Sequence, residues 1–219
     1  MTGDAAPRRP ALPERTLASR LIVVARAQAA EDYDRVLDEL IEAGIRSIEL
    51  TLTTPRTFDR LPVLLERYGA VADLGIGTVT STDDLARAID AGAHYVVTPI
   101  TSPTLVKKAA DAGMPIVPGG LTPTELFSSW SGGASAVKIF PAGQVGPGYV
   151  ADLRGPFPDI MVVPSGGVDL DGARAWLNAG AVAVSVGGPL LGDAFRGGDL
   201  ASLRRRAEAF VAVCARAEP

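Results

Sequence analysis

The stretch AVKIFP, residues 136–141, combines an apolar run with a single lysine and a closing proline. If the run is a β-strand, its two-residue period places Lys138 and Phe140 on one face, away from the apolar flank. The chain has 21 basic residues, and its only other lysines lie in a polar helical stretch, at Lys107 and Lys108. Arginine stays protonated, whereas a buried lysine can lose its proton and attack a carbonyl carbon. This stretch therefore predicts a nucleophilic lysine on a buried strand.

Length and composition favour one domain with small-molecule chemistry. The chain has 219 residues, of which 47% are hydrophobic, and a net charge of −4 with the charges interspersed. This length supports one well-buried core, and no basic patch for nucleic acid is present. We expect a flexible lead-in over residues 1–13 and one domain over residues 14–219, whose partners are small molecules or copies of the same chain.

The cysteine content and hydropathy bear on location. A single cysteine, Cys214, allows no intrachain disulfide and no cysteine-based metal site. No apolar run approaches the roughly 20 residues of a membrane span. We therefore expect a cytoplasmic protein.

The chain repeats a strand-helix unit eight times, with a glycine closing many of the helices. The predicted strands are 21–25, 47–51, 74–78, 95–99, 115–117, 136–141, 161–164 and 182–186. Helices are predicted over 31–43, 55–68, 81–91, 102–112, 122–130, 147–153, 170–179 and 199–215. The predicted strands are apolar at most positions, as is typical of strands buried on both faces. This favours parallel pairing and a single closed (β/α)₈ TIM barrel. The alternative, an open doubly wound sheet, lacks a nucleotide-binding fingerprint after the first strand.

Glu49 is the expected partner of the lysine. The two-residue period places Glu49 on the inner face of the second strand, so both charged side chains face the barrel interior. A structural ion pair is one interpretation, because buried charges often occur in pairs. The other is catalytic, with the amine as nucleophile and the carboxylate as proton carrier.

Further polar groups and glycines stand where strands end, which in a barrel is the active-site rim. Arg26 and Thr78 close the first and third strands and suit a carboxylate ligand, although a rim ion pair with Glu49 and a helix-start hydroxyl are alternatives. Backbone amides after the seventh and eighth strands suit a phosphate, or else serve only tight turns, at Ser165, Gly166, Gly167, Gly187 and Gly188. His94, the single histidine, begins the fourth strand at the opposite rim and is predicted to be structural.

With these residues in place, the chain resembles the class I aldolase family of 2-keto-3-deoxy-6-phosphogluconate aldolase and 4-hydroxy-2-oxoglutarate aldolase. The likeness runs over residues 21–213, and its specific part is the lysine strand with the glutamate strand. The matching motifs are IELTL (48–52), GTV (77–79), TP (98–99), VKIFP (137–141), SGGV (165–168) and VGG (186–188).

The resemblance implies roles for several of these residues. The lysine matching Lys138 forms a Schiff base with pyruvate, and the glutamate matching Glu49 shuttles protons. Pro99 and Phe140 are implied to bind substrate, together with the rim residues named above. The family also implies a homotrimer of barrels that needs neither a metal nor a cofactor.

This chain departs from the family pattern at several positions. Thr53 stands where the family often has an arginine, so Arg26 or Arg56 is left to bind the substrate carboxylate. Pro189 replaces a serine that many members carry, and proline offers neither a hydroxyl nor an amide proton to a phosphate. The segment GPGY, residues 146–149, is similar to the branch that acts on the galactonate epimer.

The predicted function is reversible cleavage of 2-keto-3-deoxy-6-phosphogluconate, or its galactonate epimer, into pyruvate and glyceraldehyde 3-phosphate. Three alternatives remain open from the sequence. They are an aldolase for unphosphorylated 2-keto-4-hydroxy acids, a phosphosugar isomerase or epimerase, and a ligand-binding barrel without catalysis.

Overall fold

The computed structural model describes residues 8–216, which form nine β-strands and ten α-helices that alternate except at β5–β6 and α9–α10. The strands are β1 (Leu21–Ala25), β2 (Ser47–Thr51), β3 (Asp73–Gly77), β4 (Tyr95–Val97), β5 (Ile116–Val117), β6 (Gly119–Gly120), β7 (Val137–Ile139), β8 (Val162–Pro164) and β9 (Val184–Val186). The helices are α1 (Glu14–Ser19), α2 (Tyr33–Glu42), α3 (Thr57–Tyr68), α4 (Thr82–Asp90), α5 (Pro103–Ala112), α6 (Pro123–Ser131), α7 (Tyr149–Arg154), α8 (Leu170–Asn178), α9 (Gly188–Leu191) and α10 (Leu200–Arg216).

All strand pairs are parallel, as the sequence predicts. Six strands form a curled sheet in the order β5-β4-β3-β2-β1-β9, and three form a second sheet in the order β6-β7-β8. The register pairs Val24 with Glu49 and Glu49 with Gly75, so the glutamate lies in the middle of the larger sheet. The alternation of strand and helix places helices around the outer face of both sheets.

Backbone contacts join the edges of the two sheets. At one edge the Ser135 and Lys138 amides donate to the carbonyls of Ile116 and Pro118, at 2.9 and 2.8 Å. At the other edge Ser165 and Ser185 form an isolated parallel bridge. The predicted fifth strand, 115–117, is observed as β5, and an unpredicted two-residue strand, β6, follows it after Pro118, which has no amide proton for the ladder.

The core has two layers, one on each side of the curled strands. The larger layer packs the helices against the outward side chains, including Val137 and Ile139 of β7. The smaller layer lies on the inner face and is entirely apolar apart from the Tyr95 hydroxyl. Its members are Leu12, Ile22, Tyr95, Val97, Val117, Ala136, Val163 and Ala183.

The described part of the predicted lead-in contacts the domain. Leu12 is 4% exposed and belongs to the inner apolar layer. The Arg9 guanidinium stacks 3.4 Å from the centroid of Trp130 and donates to the Trp130 carbonyl at 2.8 Å. Residues 1–7 of this segment lie outside the described residues. The predicted domain boundary at residue 14 remains a prediction.

Two general properties concern location and chemistry. Across residues 8–216, no helix combines the length and the apolar character needed to cross a membrane.

Cys214 is a buried free thiol on α10, and burial raises its pKa to about 12. This thiol is therefore protonated at neutral pH, which makes it a weak nucleophile.

Candidate active site

Lys138 lies on the inner face of β7 and is 7% exposed. Its two strand neighbours point into the outer core, so the period-two prediction for this strand is confirmed. The ammonium nitrogen lies 5.2 Å from the ring centroid of Phe140. Among the ion pairs of residues 8–216, none with an N···O distance of 4.0 Å or less involves Lys138. An ion pair with Glu49, one of the two interpretations of the sequence, is therefore not formed.

Glu49 lies on the inner face of β2 and is 2% exposed. Its carboxylate occupies space that a side chain at Gly77 would fill, because a Cβ there would lie 1.9 Å from Glu49 Oε1. Glu49 Oε2 is buried and has no hydrogen-bond partner in the described part of the chain. A buried carboxylate oxygen without a partner is costly, and such groups are concentrated at functional sites.

Tyr95 forms the floor beneath Glu49. A Cβ at Gly75 would lie 2.3 Å from the Tyr95 ring, so glycine at this position lets the ring pack across β3. The Tyr95 hydroxyl accepts a hydrogen bond from Ser47 at 3.0 Å. Burial, and to a smaller extent the negative charge of Glu49, raises the pKa of Tyr95 well above its ordinary value. Tyr95 is therefore a neutral floor residue at physiological pH.

A cavity of about 410 Å³ opens above these residues at the carboxyl ends of the strands. Parallel strands all end on this side, so residues far apart in sequence meet here. The cavity brings together the site residues predicted from the sequence except the alternative carboxylate ligand Arg56, namely Lys138, Glu49, Arg26, Thr78, Pro99, Phe140, Ser165, Gly166, Gly167, Gly187 and Gly188.

Thr78 stands between this cavity and a neighbouring one of about 420 Å³. Its φ of 64° is in the left-handed region, which is strained for a β-branched residue and typical of functional sites. Arg56 lines only the neighbouring cavity, where it pairs with Glu31 at 2.9 Å and with Asp59 at 3.4 Å. Of the two predicted carboxylate ligands, only Arg26 therefore lines the cavity of the lysine.

His94 lies at the opposite end of the strands, as predicted. Its Nδ1 accepts a hydrogen bond from the Leu74 amide at 2.9 Å. Burial lowers the pKa of His94, although the nearby Asp73 carboxylate opposes this effect. These contacts are those of a structural histidine.

Sequence reasoning missed several lining residues, of which Ser185 and Arg196 are polar. Ser185 is 3% exposed and accepts a hydrogen bond from Ser165 at 3.2 Å. The two-residue period of β9 could have identified it, because Ala183 and Ser185 share the inner face. The others are Val24, Val168, Leu191, Gly192 and Phe195.

The donor groups of the site suit organic chemistry rather than metal binding. The described residues contain no group of three or more histidine, cysteine, aspartate or glutamate side chains that could hold a metal ion. The cavity instead combines an amine, a carboxylate and two guanidinium groups. Such a set can bind anionic carbonyl compounds and transfer protons to and from them.

Comparisons with known proteins identify aldolases among the proteins similar to this chain. The chain is 31% identical over 171 residues to 2-dehydro-3-deoxy-6-phosphogalactonate aldolase of Escherichia coli K12, covering 78% of this chain and 83% of the relative. It is 32% identical over 160 residues to 2-dehydro-3-deoxy-phosphogluconate aldolase of Pseudomonas aeruginosa, covering 73% and 72%. A solved structure described as native KDPGal superposes with a TM-score of 0.81 at 29% identity, covering 88% of this chain and 93% of that one.

These similarities and the site define the class of the protein, which is an aldolase and therefore an aldehyde-lyase. The model of the family described as "KDPG and KHG aldolase" matches residues 13–205. The chain belongs to this family, and the resemblance inferred from the sequence is confirmed.

Proposed function

We propose that the chain is a class I aldolase that reversibly cleaves 2-keto-3-deoxy-6-phosphogluconate or its galactonate epimer through a Schiff base on Lys138. The observation that carries this proposal is that Lys138 and Glu49 are both buried in one cavity and form no ion pair with each other. Attack on a ketone uses the electron pair of an amine, and proton transfer uses a carboxylate close to the reacting atoms.

The chemistry then follows from the two groups. The Lys138 nitrogen attacks the carbonyl carbon at position 2 of the substrate, and loss of water gives an iminium ion. Glu49 takes the proton of the hydroxyl on carbon 4, directly or through water, and the bond between carbons 3 and 4 breaks. The electron pair moves into the iminium to give an enamine, and the aldehyde leaves. Protonation at carbon 3 and hydrolysis release pyruvate and restore the amine.

The substrate epimer is a finer part of this proposal. Relatives named for the galactonate and the gluconate compounds are equally similar, at 31% and 32% identity. The segment GPGY, residues 146–149, favours the galactonate branch through its resemblance. A second candidate, cleavage of unphosphorylated 2-keto-4-hydroxy acids, is favoured by Pro189, which lines the cavity without an amide proton to donate.

The closed (β/α)₈ barrel and the homotrimer belong to the same proposal. The backbone bonds from Ser135 and Lys138 and the bridge between Ser165 and Ser185 support a closed ring of strands.

Phe127, 42% exposed, stacks on Phe157 at 4.4 Å, and exposed aromatic pairs are typical of subunit contacts. A cytoplasmic location remains a prediction from the single cysteine.

Trapping with borohydride tests the proposal directly. We expect pyruvate with borohydride to add one adduct to the intact protein, mapped by peptide mass to Lys138 and absent in Lys138→Arg. Lys107→Arg, which removes an exposed lysine paired with Asp111, is the matched control and should trap normally. Trapping at Lys107 or Lys108, or none at all, would contradict the Schiff base. Pyruvate binding without cleavage of any 2-keto-4-hydroxy acid would instead support a non-catalytic protein.

A further inference from the structure

Arg196 is a cation of the cavity that the proposed mechanism does not use. It ends a short 3₁₀ turn, Ala194–Arg196, which follows α9. Its side chain is exposed, and no ion pair of the described residues involves its guanidinium. An exposed arginine at a cavity mouth without a carboxylate partner is available to an anionic ligand.

Packing holds this turn in place. Phe195 is 9% exposed, and its ring meets the Tyr33 ring edge-on with centroids 5.9 Å apart. Arg35 donates to the Ala194 carbonyl at 3.0 Å. From α10, Arg206 donates to the Leu190 carbonyl at 2.7 Å. These contacts on both sides fix the backbone from which Arg196 projects.

The turn is also closed upon itself. The Asp193 carbonyl accepts hydrogen bonds from the amides of Arg196 at 2.7 Å and Gly198 at 3.0 Å. A Cβ at Gly198 would lie 2.1 Å from Asp193 Oδ1, so the Asp193 carboxylate packs closely against the Gly198 backbone. Gly197 has a φ of 83°, which glycine adopts without strain. These hydrogen bonds and the glycine conformation hold the backbone of Arg196 in place at the end of the turn.

The charges of the cavity suit a ligand with two acidic ends. Arg26 follows β1, whose Val24 pairs with Glu49, so it stands beside the proton-transfer group. Arg196 follows the loop of Gly187 and Gly188 instead. The two guanidinium groups therefore lie after different strands of the rim and can hold separate anions.

We propose that Arg196 binds the terminal phosphate of the substrate and thereby sets the preference for phosphorylated compounds. This inference rests on the proposed function, because it assigns one end of the proposed substrate. Pro189 has no amide proton to give a phosphate, and the amides of Leu190 and Leu191 already donate to the Gly187 carbonyl. Beyond the amide of Gly188, α9 thus offers few donors, and a guanidinium supplies both charge and two parallel hydrogen bonds.

Direct binding of inorganic phosphate is the first test, since it does not depend on turnover. We expect Arg196→Gln to weaken phosphate binding, measured by calorimetry at low salt, by about tenfold or more. Arg196→Lys should restore part of the loss, because a point charge replaces the bidentate fork. The matched control is Arg174→Gln, which removes an exposed arginine of α8 paired with Asp171 and should bind as wild type does.

Kinetics provide the second test. In Arg196→Gln, kcat/KM for the phosphorylated 2-keto-3-deoxy sugar acids should fall about tenfold more than kcat/KM for the unphosphorylated acids. Equal losses for both substrates, equal phosphate affinity in the Arg196 and Arg174 variants, or no phosphate binding in wild type would each overturn the proposal. Loss of phosphate binding in Arg196→Gln, in a protein that neither traps pyruvate nor cleaves substrate, would support Arg196 as the phosphate ligand and reject the aldolase function.

Discussion

Gly77 shows how the site depends on a missing side chain. The Glu49 carboxylate lies where a Cβ at position 77 would stand, 1.9 Å from Oε1. Any larger residue on this face of β3 would therefore displace the proposed proton carrier. The glycine is thus as much a part of the site as the carboxylate itself.

Glu49→Gln should separate attack from cleavage. The amide keeps the shape of the side chain but cannot accept the proton, and general acid-base catalysis is typically worth about 10²–10⁴-fold. We expect the variant to form the borohydride-trapped pyruvate adduct while its kcat for cleavage falls within that range. Cleavage within a few-fold of wild type would leave Glu49 with no role in proton transfer.

Arg26→Ala should weaken the binding of pyruvate and substrate alike. A charge-assisted hydrogen bond to the carboxylate is worth about 1.5–3 kcal/mol, so we expect KM for both to rise about tenfold or more. Arg56→Ala is the matched control, because Arg56 pairs with Glu31 and Asp59 outside the cavity. A large rise in KM in Arg56→Ala, with an unchanged KM in Arg26→Ala, would show that the substrate carboxylate binds to Arg56 in the loop after β2.

At the scale of elements, His94 links the lower ends of β3 and β4 and makes their stability depend on pH. Burial lowers its pKa below the ordinary value of 6.5, so the folded state binds fewer protons than the unfolded state. The contribution of neutral His94 to the free energy of unfolding is fully present above pH 6.5 and is lost as pH falls below that value. Protonation of Nδ1 would also break the hydrogen bond from Leu74.

Denaturant unfolding between pH 8 and pH 5 measures this effect. We expect the free energy of unfolding of the wild type to fall more steeply below pH 6.5 than that of His94→Asn, whose amide oxygen can accept the same bond without titrating. Parallel pH profiles for the two proteins would show that His94 does not carry the dependence.

Most elements could be predicted because glycine and proline mark their ends. Ser81, for example, begins the predicted helix over 81–91, and its side chain caps α4 by accepting from the Asp84 amide at 3.0 Å. Three short elements were missed for physical reasons. Helix α1 is only six residues long and has no side-chain cap bond, so it carries no periodic signal. Strand β6 and helix α9 have two and four residues, which is too short to show a period.

The sequence predicts the site residues that lie on strands or directly after them. Lys138, Glu49 and Arg26 follow from the two-residue period and from the common side on which parallel strands end. Arg196 does not, because it stands on a turn after α9, and the place of such a turn depends on the packing of Phe195 against Tyr33. Loops of this kind are set by tertiary contacts that no local pattern encodes.

For the whole molecule, Leu12 couples the amino-terminal segment to the inner core. It is 4% exposed among the side chains that fill the lower part of the curled sheet. We expect Leu12→Ala to lower the free energy of unfolding by about 2–4 kcal/mol through lost burial and the cavity left behind. Val71→Ala is the control, since Val71 is 44% exposed and its truncation should cost far less. Equal effects of the two substitutions would place Leu12 outside the core.

The apolar layer that includes Leu12 also forms the floor of the cavity. Its members Ile22 and Tyr95 are each no more than 1% exposed, so the open side of the cavity is the rim at the carboxyl ends of the strands. In the mechanism proposed for Lys138, the aldehyde is not covalently bound and leaves over this rim, whereas pyruvate leaves only after hydrolysis of its bond to the lysine. The proposal therefore implies an ordered release, with the ketoacid last to leave and first to bind in the reverse reaction.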